Sequence, residues 1–515
     1  ACGGWIHRTA IPDEAGHVSI FEQSRERLDI QLKDLIESSN DTMPAIVKMK
    51  SMYRSCMNLP AIEKLSTEPL KMSLKQLGGW PVIDGDSWDE TGFDWINVTQ
   101  KIRRSGFKPE MFVNFKVIAD VMNNTRNMIF VDEATLGLRR QLITQGPNHT
   151  TVRITAKELV MVDNIRYMGQ IDYLISFVNK HDKRLMANYM LWRVVLQNLG
   201  TGSKVMRDMK DNLHKHLYGI TEKMARWKVC LSQLTGSLAM ALSSLYIKHH
   251  FNPQSKERAV EMIRFIQEEF DDILHKTEWM DSETKMNAYK KSRMMKAIVG
   301  YPEELAKDAL VEDWKYFSNS ANVNAFYWSQ ANSIVIPAGI LRDIFFDSDR
   351  PQYLNFGTLG YVIGHEITHG FDNIGAQFDD TGNARNWWKN ETKKHYNDKA
   401  QCMIKQYKEY QLPNSLKING DLTLKENIAD NGAIKEAYQA YEKYVAKFGE
   451  ELPFFAAIII IIIVLCHCHY SKNKINYFLN ISRVNIAFSN YEPFAEAFQC
   501  KMGTKSNAVN KCTVW

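Results

Sequence analysis

Residues 365–369 read HEITH, and this pentapeptide decides the fold of the 515-residue chain because its spacing requires a helix. Residues four apart lie on one helical face, so the imidazoles of His365 and His369 can reach the same metal ion. Two neutral imidazoles suit zinc and leave room for a third protein ligand and a water. Glu366 then borders the metal, where it can take a proton from that water as general base. The motif predicts one Zn²⁺ per chain.

A second motif, residues 426–430 (ENIAD), supplies the carboxylates that the first one lacks. Glu426 is the candidate third ligand, and Asp430 lies one helical turn away, where it can accept the free N–H of a ligating histidine. Asp372, three residues after His369, can serve the other histidine. Either motif alone arises by chance on ordinary helices, so it is the pair that predicts a metal site.

Three segments together resemble the neprilysin and endothelin-converting enzyme family of zinc peptidases: residues 324–327 (NAFY), 365–370 (HEITHG) and 426–432 (ENIADNG). Shorter family landmarks are residues 1–5, 53–56, 337–341, 401–403 and 514–515. The resemblance implies a mainly α fold with a small β-sheet in the catalytic domain (α+β). It implies a thermolysin-like zincin catalytic domain and a large α-helical domain that together enclose a cavity for short peptides.

The resemblance also implies substrate-binding residues. Asn324 and Ala325 would hold the substrate backbone beside residues 333–337 (SIVIP), a short run that we interpret as an edge strand to which an extended peptide can add. From the residues alone, Asn324 is more readily a turn residue than a substrate-binding one. Arg483 would hold the carbonyl beyond the cleaved bond and fix the carboxylates near the zinc. The pocket after the cleaved bond would be lined by Ile340, Phe345 and Val362, which as bare sequence are ordinary core residues.

The pattern up to about residue 300 is helical. Apolar residues recur at three- and four-residue steps at Ala259, Val260, Ile263, Ile266, Phe270 and Ile273. Asp281 is the expected N-cap of a following helix that runs to Gly300. We therefore predict an α-helical, substrate-restricting domain at 1–300, a linker at 301–322 and the catalytic domain at 323–515. The segments 131–170 and 301–320 are shorter than the segments that the resemblance leads us to expect at these places.

Net charge, cysteine spacing and glycosylation sequons indicate in which compartment the protein lies and which partners it can have. A net charge of +5 on 515 residues, without a basic cluster, excludes a nucleic-acid partner. Eight widely spaced cysteines without a C-x-x-C pattern favour disulfides, and six N-x-S/T sequons begin at Asn40, Asn97, Asn123, Asn148, Asn390 and Asn480. These features indicate an extracellular protein. By resemblance, Cys56 would pair with Cys230 and Cys402 with Cys512, and the partner of Cys500 would lie upstream of residue 1.

The first residue, Ala1, is not an initiator methionine, and we expect the chain to be cut at its start. Members of the family are commonly anchored in the membrane by one N-terminal helix. The expected form is a plasma-membrane ectodomain, whose single anchor is missing here, or a secreted protein.

Residues 454–480 depart from the family. The run 454–466 (FFAAIIIIIIVLC) has 13 residues, whereas a spanning helix needs about 17 to 25, so a membrane span there is an alternative that we disfavour. The family has here a helix and an active-site loop, with a histidine six residues before Arg483 that stabilises the oxyanion. This chain has Tyr477. We interpret the segment as an alternative exon or a mistranslated insert.

The predicted function is zinc-dependent hydrolysis of internal bonds in short peptides. The loss of one oxyanion donor typically costs on the order of 10²- to 10³-fold in rate. The alternative is therefore a catalytically weak, peptidase-like protein that holds zinc and peptide with negligible turnover.

Overall fold

The computed structural model describes residues 9–12, 14–15, 17–134, 161–162, 164–220, 222–302, 319–410, 417–449, 451, 469–471 and 474–515. Side chains are described at these positions except 161 and 469–481. The N-terminal landmark 1–5, the isoleucine run 454–466 and the side chain of Tyr477 thus lie outside the described part, as does most of 131–170 and 301–320.

Helices dominate the described residues, as the sequence predicted. They are Ile20–Ser38, Pro44–Met57, Leu59–Leu65, Glu68–Gln76, Pro81–Asp84, Trp95–Arg104, Ile165–His181, Lys183–Asn198, Lys204–Tyr218, Arg226–Ser237, Ala239–His250, Pro253–Lys276, Ser282–Met294, Gln352–Asn355, Tyr361–His369, Asn390–Glu409, Leu424–Phe448, Lys474–Ser489 and Glu492–Ala497. No one of these helices is long and apolar enough to cross a membrane. The pair Arg226–Ser237 and Ala239–His250, bent by 106°, meets the length and composition criteria only when taken together.

Eight short strands form three small sheets within the described residues. They are β1 His17–Ser19, β2 Val113–Asp120, β3 Asn123–Glu133, β4 Met161–Val162, β5 Lys296–Gly300, β6 Phe326–Trp328, β7 Ser333–Pro337 and β8 His469–Ser471. The sheet orders are β1-β8, β2-β3-β4 and β5-β7-β6. A mainly α fold with small sheets is confirmed.

The chain divides into two compact units, Ala1–Tyr53 with Tyr218–Trp515, and Arg54–Leu217. The second unit packs around buried Leu74, Ile102, Met190 and Val194. These bounds differ from the predicted linker at 301–322, because Pro253–Lys276 packs on Tyr361–His369 and so belongs with the metal-motif helices. The substrate-restricting role of residues 1–300 stays a prediction.

The helical interpretation of the first 300 residues was wrong where strands β1 to β5 form, and the two longest departures are at β2–β3 and at β5. Strands β2 and β3 form an antiparallel hairpin, with Val113 opposite Glu133, where Val, Ile and Phe favour extended backbone. The helix capped by Asp281 ends at Met294, and residues 296–300 form β5. The cap itself is as predicted, since the Asp281 carboxylate accepts the N–H groups of Glu283 and Thr284, both at 3.0 Å.

The edge-strand prediction was also wrong. Strand β7, the SIVIP run, is central: it pairs in parallel with β5 and antiparallel with β6, and all five of its residues are buried. Pro337 ends the strand, so its missing N–H does not force an edge position. In the described part of the chain, the strand at the edge of this sheet beside Asn324 and Ala325 is β6.

The two metal-motif helices, Tyr361–His369 and Leu424–Phe448, cross at a pair of glycines. A π-helical stretch, Phe356–Gly360, leads into the first of them. A Cβ on Gly364 would lie 3.2 Å from the Ala433 Cα, and a Cβ on Gly432 would collide with the Thr368 hydroxyl. Glycine at both positions lets the backbones approach closely, which brings the ENIAD carboxylates to the HEITH face.

The predicted disulfide between Cys402 and Cys512 is present, with the Cα atoms 5.7 Å apart. Cys56 and Cys230 are each disulfide-bonded as well, and Cys500 forms no disulfide in the described part of the chain. Four sequon asparagines, Asn40, Asn97, Asn123 and Asn390, are exposed, whereas Asn148 and the side chain of Asn480 lie outside the described residues.

Candidate metal centre

The metal-ligand candidates of the two motifs meet at one point. One ligand atom from each of His365, His369 and Glu426 lies within 4.8 Å of the others, and the described residues contain no second group of this kind. Glu426 Oε2 is 3.5 Å from His365 Nε2, and Glu426 Oε1 is 3.9 Å from His369 Nε2. Two imidazole nitrogens and one carboxylate oxygen are a donor set that suits zinc and keeps a fourth position open.

Each imidazole has a carboxylate behind it. His369 Nδ1 lies 2.6 Å from Asp372 Oδ2, and His365 Nδ1 lies 3.0 Å from Asp430 Oδ1, where the contact is close without forming a directed hydrogen bond. With both Nδ1 atoms turned to carboxylates, both Nε2 atoms face Glu426. This ring orientation is what a pair of zinc-binding histidines needs, so the residues present fit the metal.

Arg483 organises the two ENIAD carboxylates. Its Nε donates to Asp430 Oδ2 at 2.7 Å, and its Nη2 donates to Asp430 Oδ1 at 2.8 Å and to Glu426 Oε2 at 3.2 Å. Although burial opposes it, the charges of Arg483 and His365 hold the pKa of Asp430 well below its usual range. Hydrogen bonding to His365 is the main cause that lowers the pKa of Glu426 to about 2. Both carboxylates are therefore ionised at neutral pH.

Glu366 is buried, with 6% of its surface exposed, and it lines the same cavity as the three ligand candidates. Burial raises the pKa of its carboxyl, against the opposing charges of His365 and His369. A carboxylate whose pKa is moved towards neutrality is a stronger proton acceptor, which suits a general base.

The cavity measures about 360 Å³ and is lined on one wall by Asn324, Ala325, Phe326 and Tyr327. Asn324 Oδ1 accepts the N–H of Ala325 at 2.9 Å. Asn324 and Ala325 thus stand at the start of edge strand β6 and beside the metal-ligand candidates.

Three predicted pocket residues do not reach this cavity. Ile340, Phe345 and Val362 are buried, with at most 6% exposure, and none of them lines it. Phe345 packs against Phe21, with ring centroids 4.6 Å apart. Their role in substrate selection stays a prediction from resemblance.

A residue that sequence reasoning missed is Lys291. Its buried ammonium donates to the carbonyl oxygens of Gly370, Gly375 and Phe378 at 2.6, 2.7 and 2.7 Å. Those carbonyls belong to loop 370–378, which also carries Asp372. In the same loop, the N–H groups of residues 374 and 375 donate to Asp372 Oδ1, both at 2.7 Å. Lys291 thus shapes the loop that holds His369.

Burial lowers the pKa of Lys291 to about 7, whereas three carbonyl acceptors favour the ammonium, the only form with three N–H donors. The sequence signal was weak, because Lys291 follows another lysine in a polar helix. Its spacing from buried Thr284 and Ala288, seven and three residues earlier, places it on the inner face.

Comparisons with known proteins agree with this geometry. The profile of Peptidase family M13 matches residues 324–514, and an N-terminal profile of the same family matches residues 1–157 and 140–302. The chain is 32% identical to Neprilysin-2 of Drosophila melanogaster over 664 residues, covering 100% of this chain and 85% of the relative. It is 30% identical to Membrane metallo-endopeptidase-like 1 of Mus musculus, covering 100% and 86%.

The aligned length of 664 exceeds the 515 residues of this chain, so the fly relative has internal segments without a counterpart here. This agrees with the expectation that internal stretches are short.

Solved structures share the fold. Mycobacterium tuberculosis zinc metalloprotease Zmp1 in complex with inhibitor gives a TM-score of 0.81 at 19% identity, covering 97% of this chain and 94% of that one. PepO from Lactobacillus rhamnosis gives 0.76 at 16% identity, covering 98% and 96%. Likeness at such low identity supports the architecture alone.

Proposed function

Because the chain belongs to peptidase family M13, and is therefore a zinc metallopeptidase, we propose that it hydrolyses internal bonds of short peptides at the cavity around Glu366. The observation that carries this proposal is the convergence of His365, His369 and Glu426 within 4.8 Å beside that buried carboxylate. A base, a metal-ligand set and an open cavity at one point are what peptide hydrolysis by an activated water requires.

His365, His369 and Glu426 would hold one zinc ion. When bound there, zinc acidifies a water and polarises the carbonyl of the scissile bond. Asp372 would hold His369, through its hydrogen bond, in the tautomer whose Nε2 carries the lone pair towards the site, and the charge of Asp430 beside Nδ1 would favour the same tautomer of His365.

Glu366 is the proposed proton carrier. Its carboxylate takes a proton from the attacking water and returns it to the amine nitrogen that leaves as the C–N bond breaks. The proton is conserved, and the carboxylate is regenerated at the end of the cycle. Burial keeps bulk water from competing for this proton.

The substrate is proposed to bind as an added strand on the side of edge strand β6 that faces away from β7. Main-chain hydrogen bonds to that edge hold an extended peptide whatever its side chains, with Asn324 and Ala325 gripping its backbone. Arg483 is proposed to hold the carbonyl beyond the cleaved bond while it fixes Asp430 and Glu426.

We propose an extracellular or luminal location. The Cys402–Cys512 disulfide and the four exposed sequon asparagines favour an oxidising, glycosylating compartment. Attachment to a plasma membrane by a separate anchor and secretion are both compatible with these features. The proposed partners are short peptides.

The test combines zinc content with peptide cleavage. We expect about one zinc per purified chain, cleavage of an internally quenched peptide at an internal bond, and a loss of about 10²- to 10⁴-fold in Glu366→Gln with zinc retained. A chain without stoichiometric zinc contradicts the metal centre, and an unchanged rate in Glu366→Gln contradicts the assigned base. Zinc and tight peptide binding without turnover instead establish the peptide-binding alternative.

A further inference from the structure

The cavity is lined by three carboxylates, those of Glu366, Asp372 and Glu426, and among its lining residues by a single lysine or arginine, Lys425. The carboxylates are assigned to the metal centre, to the general base and to the support of His369. Lys425 has no role in that chemistry. A cation beside a catalytic cavity without a task in catalysis is a candidate for recognition of the substrate.

Lys425 occupies the first turn of helix Leu424–Phe448, between buried Leu424 and Glu426. Its Nζ lies 3.6 Å from Glu426 Oε1, and within the described part of the chain Glu426 is the carboxylate with which Lys425 forms an ion pair. Its side chain is 52% exposed. The ammonium therefore stands at the mouth of the cavity, close to the ligand candidates and still reachable from solvent.

A purely structural interpretation is that Lys425 is a surface lysine paired with the carboxylate of Glu426. That pair is weak, because Glu426 already lies 3.2 Å from Arg483 Nη2 and 3.5 Å from His365 Nε2. At half exposure, little Coulomb energy ties Lys425 to so shared a charge. The ammonium can turn to a ligand at small cost.

Two other side chains at this mouth are apolar and exposed. Phe326 is 44% exposed on edge strand β6, and Ile374 is 46% exposed in loop 370–378. A peptide laid along β6 thus passes apolar surface as well as one ammonium.

We propose that Lys425 is a specificity-determining residue that favours peptides with an aspartate or glutamate side chain near the cleaved bond, flanked by apolar residues. The inference rests on the proposed function and names the substrate class of that site. The paired charges would act in the bound substrate and in the transition state alike, so the preference belongs mainly to KM.

The experiment is a charge scan on the zinc-loaded full chain. A quenched peptide is varied from glutamine to glutamate, one position at a time, on both sides of its cleaved bond. We expect one position at which glutamate raises kcat/KM about fivefold, the size of an exposed ion pair, with the gain shrinking in high salt. Lys425→Met should abolish that preference, and Lys425→Glu should transfer it to a lysine peptide. The matched control Lys405→Met, at an exposed lysine on another helix, should keep it.

Binding of the same peptides to the Glu366→Gln variant, measured by fluorescence anisotropy, gives a readout without turnover. A glutamate preference in binding that depends on residue 425 supports the inference even if the chain cleaves nothing, an outcome that defeats only the proposed function. Peptides cleaved or bound equally well with glutamine and glutamate at every position overturn it. A fall in kcat for neutral and acidic peptides alike in Lys425→Met also overturns it, because the residue would then act on the reacting bond.

Discussion

Arg483 grips Asp430 through two hydrogen bonds, from Nε to Oδ2 at 2.7 Å and from Nη2 to Oδ1 at 2.8 Å. The carboxylate thus fixed lies 3.0 Å from His365 Nδ1, and the same arginine reaches Glu426. The guanidinium of Arg483 therefore positions Glu426 directly, and it positions His365 through the carboxylate of Asp430.

The first prediction replaces this arginine. Arg483→Lys keeps the positive charge but loses the planar guanidinium that makes two hydrogen bonds to Asp430. We therefore expect zinc affinity to fall about 10- to 100-fold. A chelator competition measures the affinity. Arg385→Lys is the matched control, since Arg385 is 65% exposed and its partner Asp379, 3.3 Å away, is not among the metal-ligand candidates. Equal zinc affinity in wild type and Arg483→Lys would show that the guanidinium of Arg483 does not position the metal ligands.

The second prediction concerns Asp372. Asp372→Asn can still accept the two loop N–H groups, but it loses the charge that faces His369 Nδ1. We expect a fall in zinc affinity of about 10-fold with little change in unfolding temperature. Asp379→Asn, in the next turn, removes a carboxylate that contacts Thr381 and Asn383 instead. It should leave zinc affinity unchanged, and an equal loss in both variants would contradict the prediction.

The third prediction concerns Lys291, whose removal leaves three carbonyls of loop 370–378 without their donor. Lys291→Met should lower the free energy of unfolding by about 2 to 4 kcal/mol, because the buried acceptors lose their partner. Urea denaturation measures it. The neighbouring Lys290→Met is the control: Lys290 is 63% exposed and pairs with Asp380, so we expect a change within about 0.5 kcal/mol. Similar losses in the two variants would rule out the loop-holding role.

The sequence predicted the helices, and the shared helical face of two metal-ligand candidates, because both depend on local spacing. A step of four residues on one helix places His365 beside His369 whatever the rest of the chain does. It also predicted the N-cap at Asp281, whose carboxylate bonds backbone within its own turn. Interactions confined to one or two turns can be derived from sequence.

Strand order and long-range contacts could not be derived in this way. Whether β7 lies inside its sheet depends on β5, more than 30 residues earlier in the chain, and its short apolar run is the same for an edge or a central position. The role of Lys291 was missed because its acceptors lie 79 to 87 residues away. Phe345 matches a family pocket position, but its packing on Phe21 is decided by tertiary structure.

The fourth prediction is a pH dependence of stability set by Glu436, a buried carboxyl on the ENIAD helix. Its Oε1 accepts from the Thr368 hydroxyl at 2.6 Å, and its Oε2 is buried without a hydrogen-bond partner in the described part of the chain. Burial raises the pKa of this carboxyl from 4.5 to about 8. The charge of Glu269 raises the pKa further, whereas the Thr368 hydrogen bond and the charges of Lys435 and His365 oppose the rise.

Because the folded state holds this proton more tightly than the unfolded state, the stabilisation is complete below about pH 4.5 and is lost as the pH rises to about 8. Glu436→Gln keeps a donor at every pH. We expect it to match wild type near pH 5 and to exceed it by up to about 4 kcal/mol above pH 8 in urea denaturation of the zinc-loaded chain. Glu409→Gln, at an exposed glutamate, should track wild type throughout. Parallel stability curves for wild type and Glu436→Gln from pH 5 to 9 would mean that the folded state does not hold a proton on Glu436 more tightly than the unfolded state.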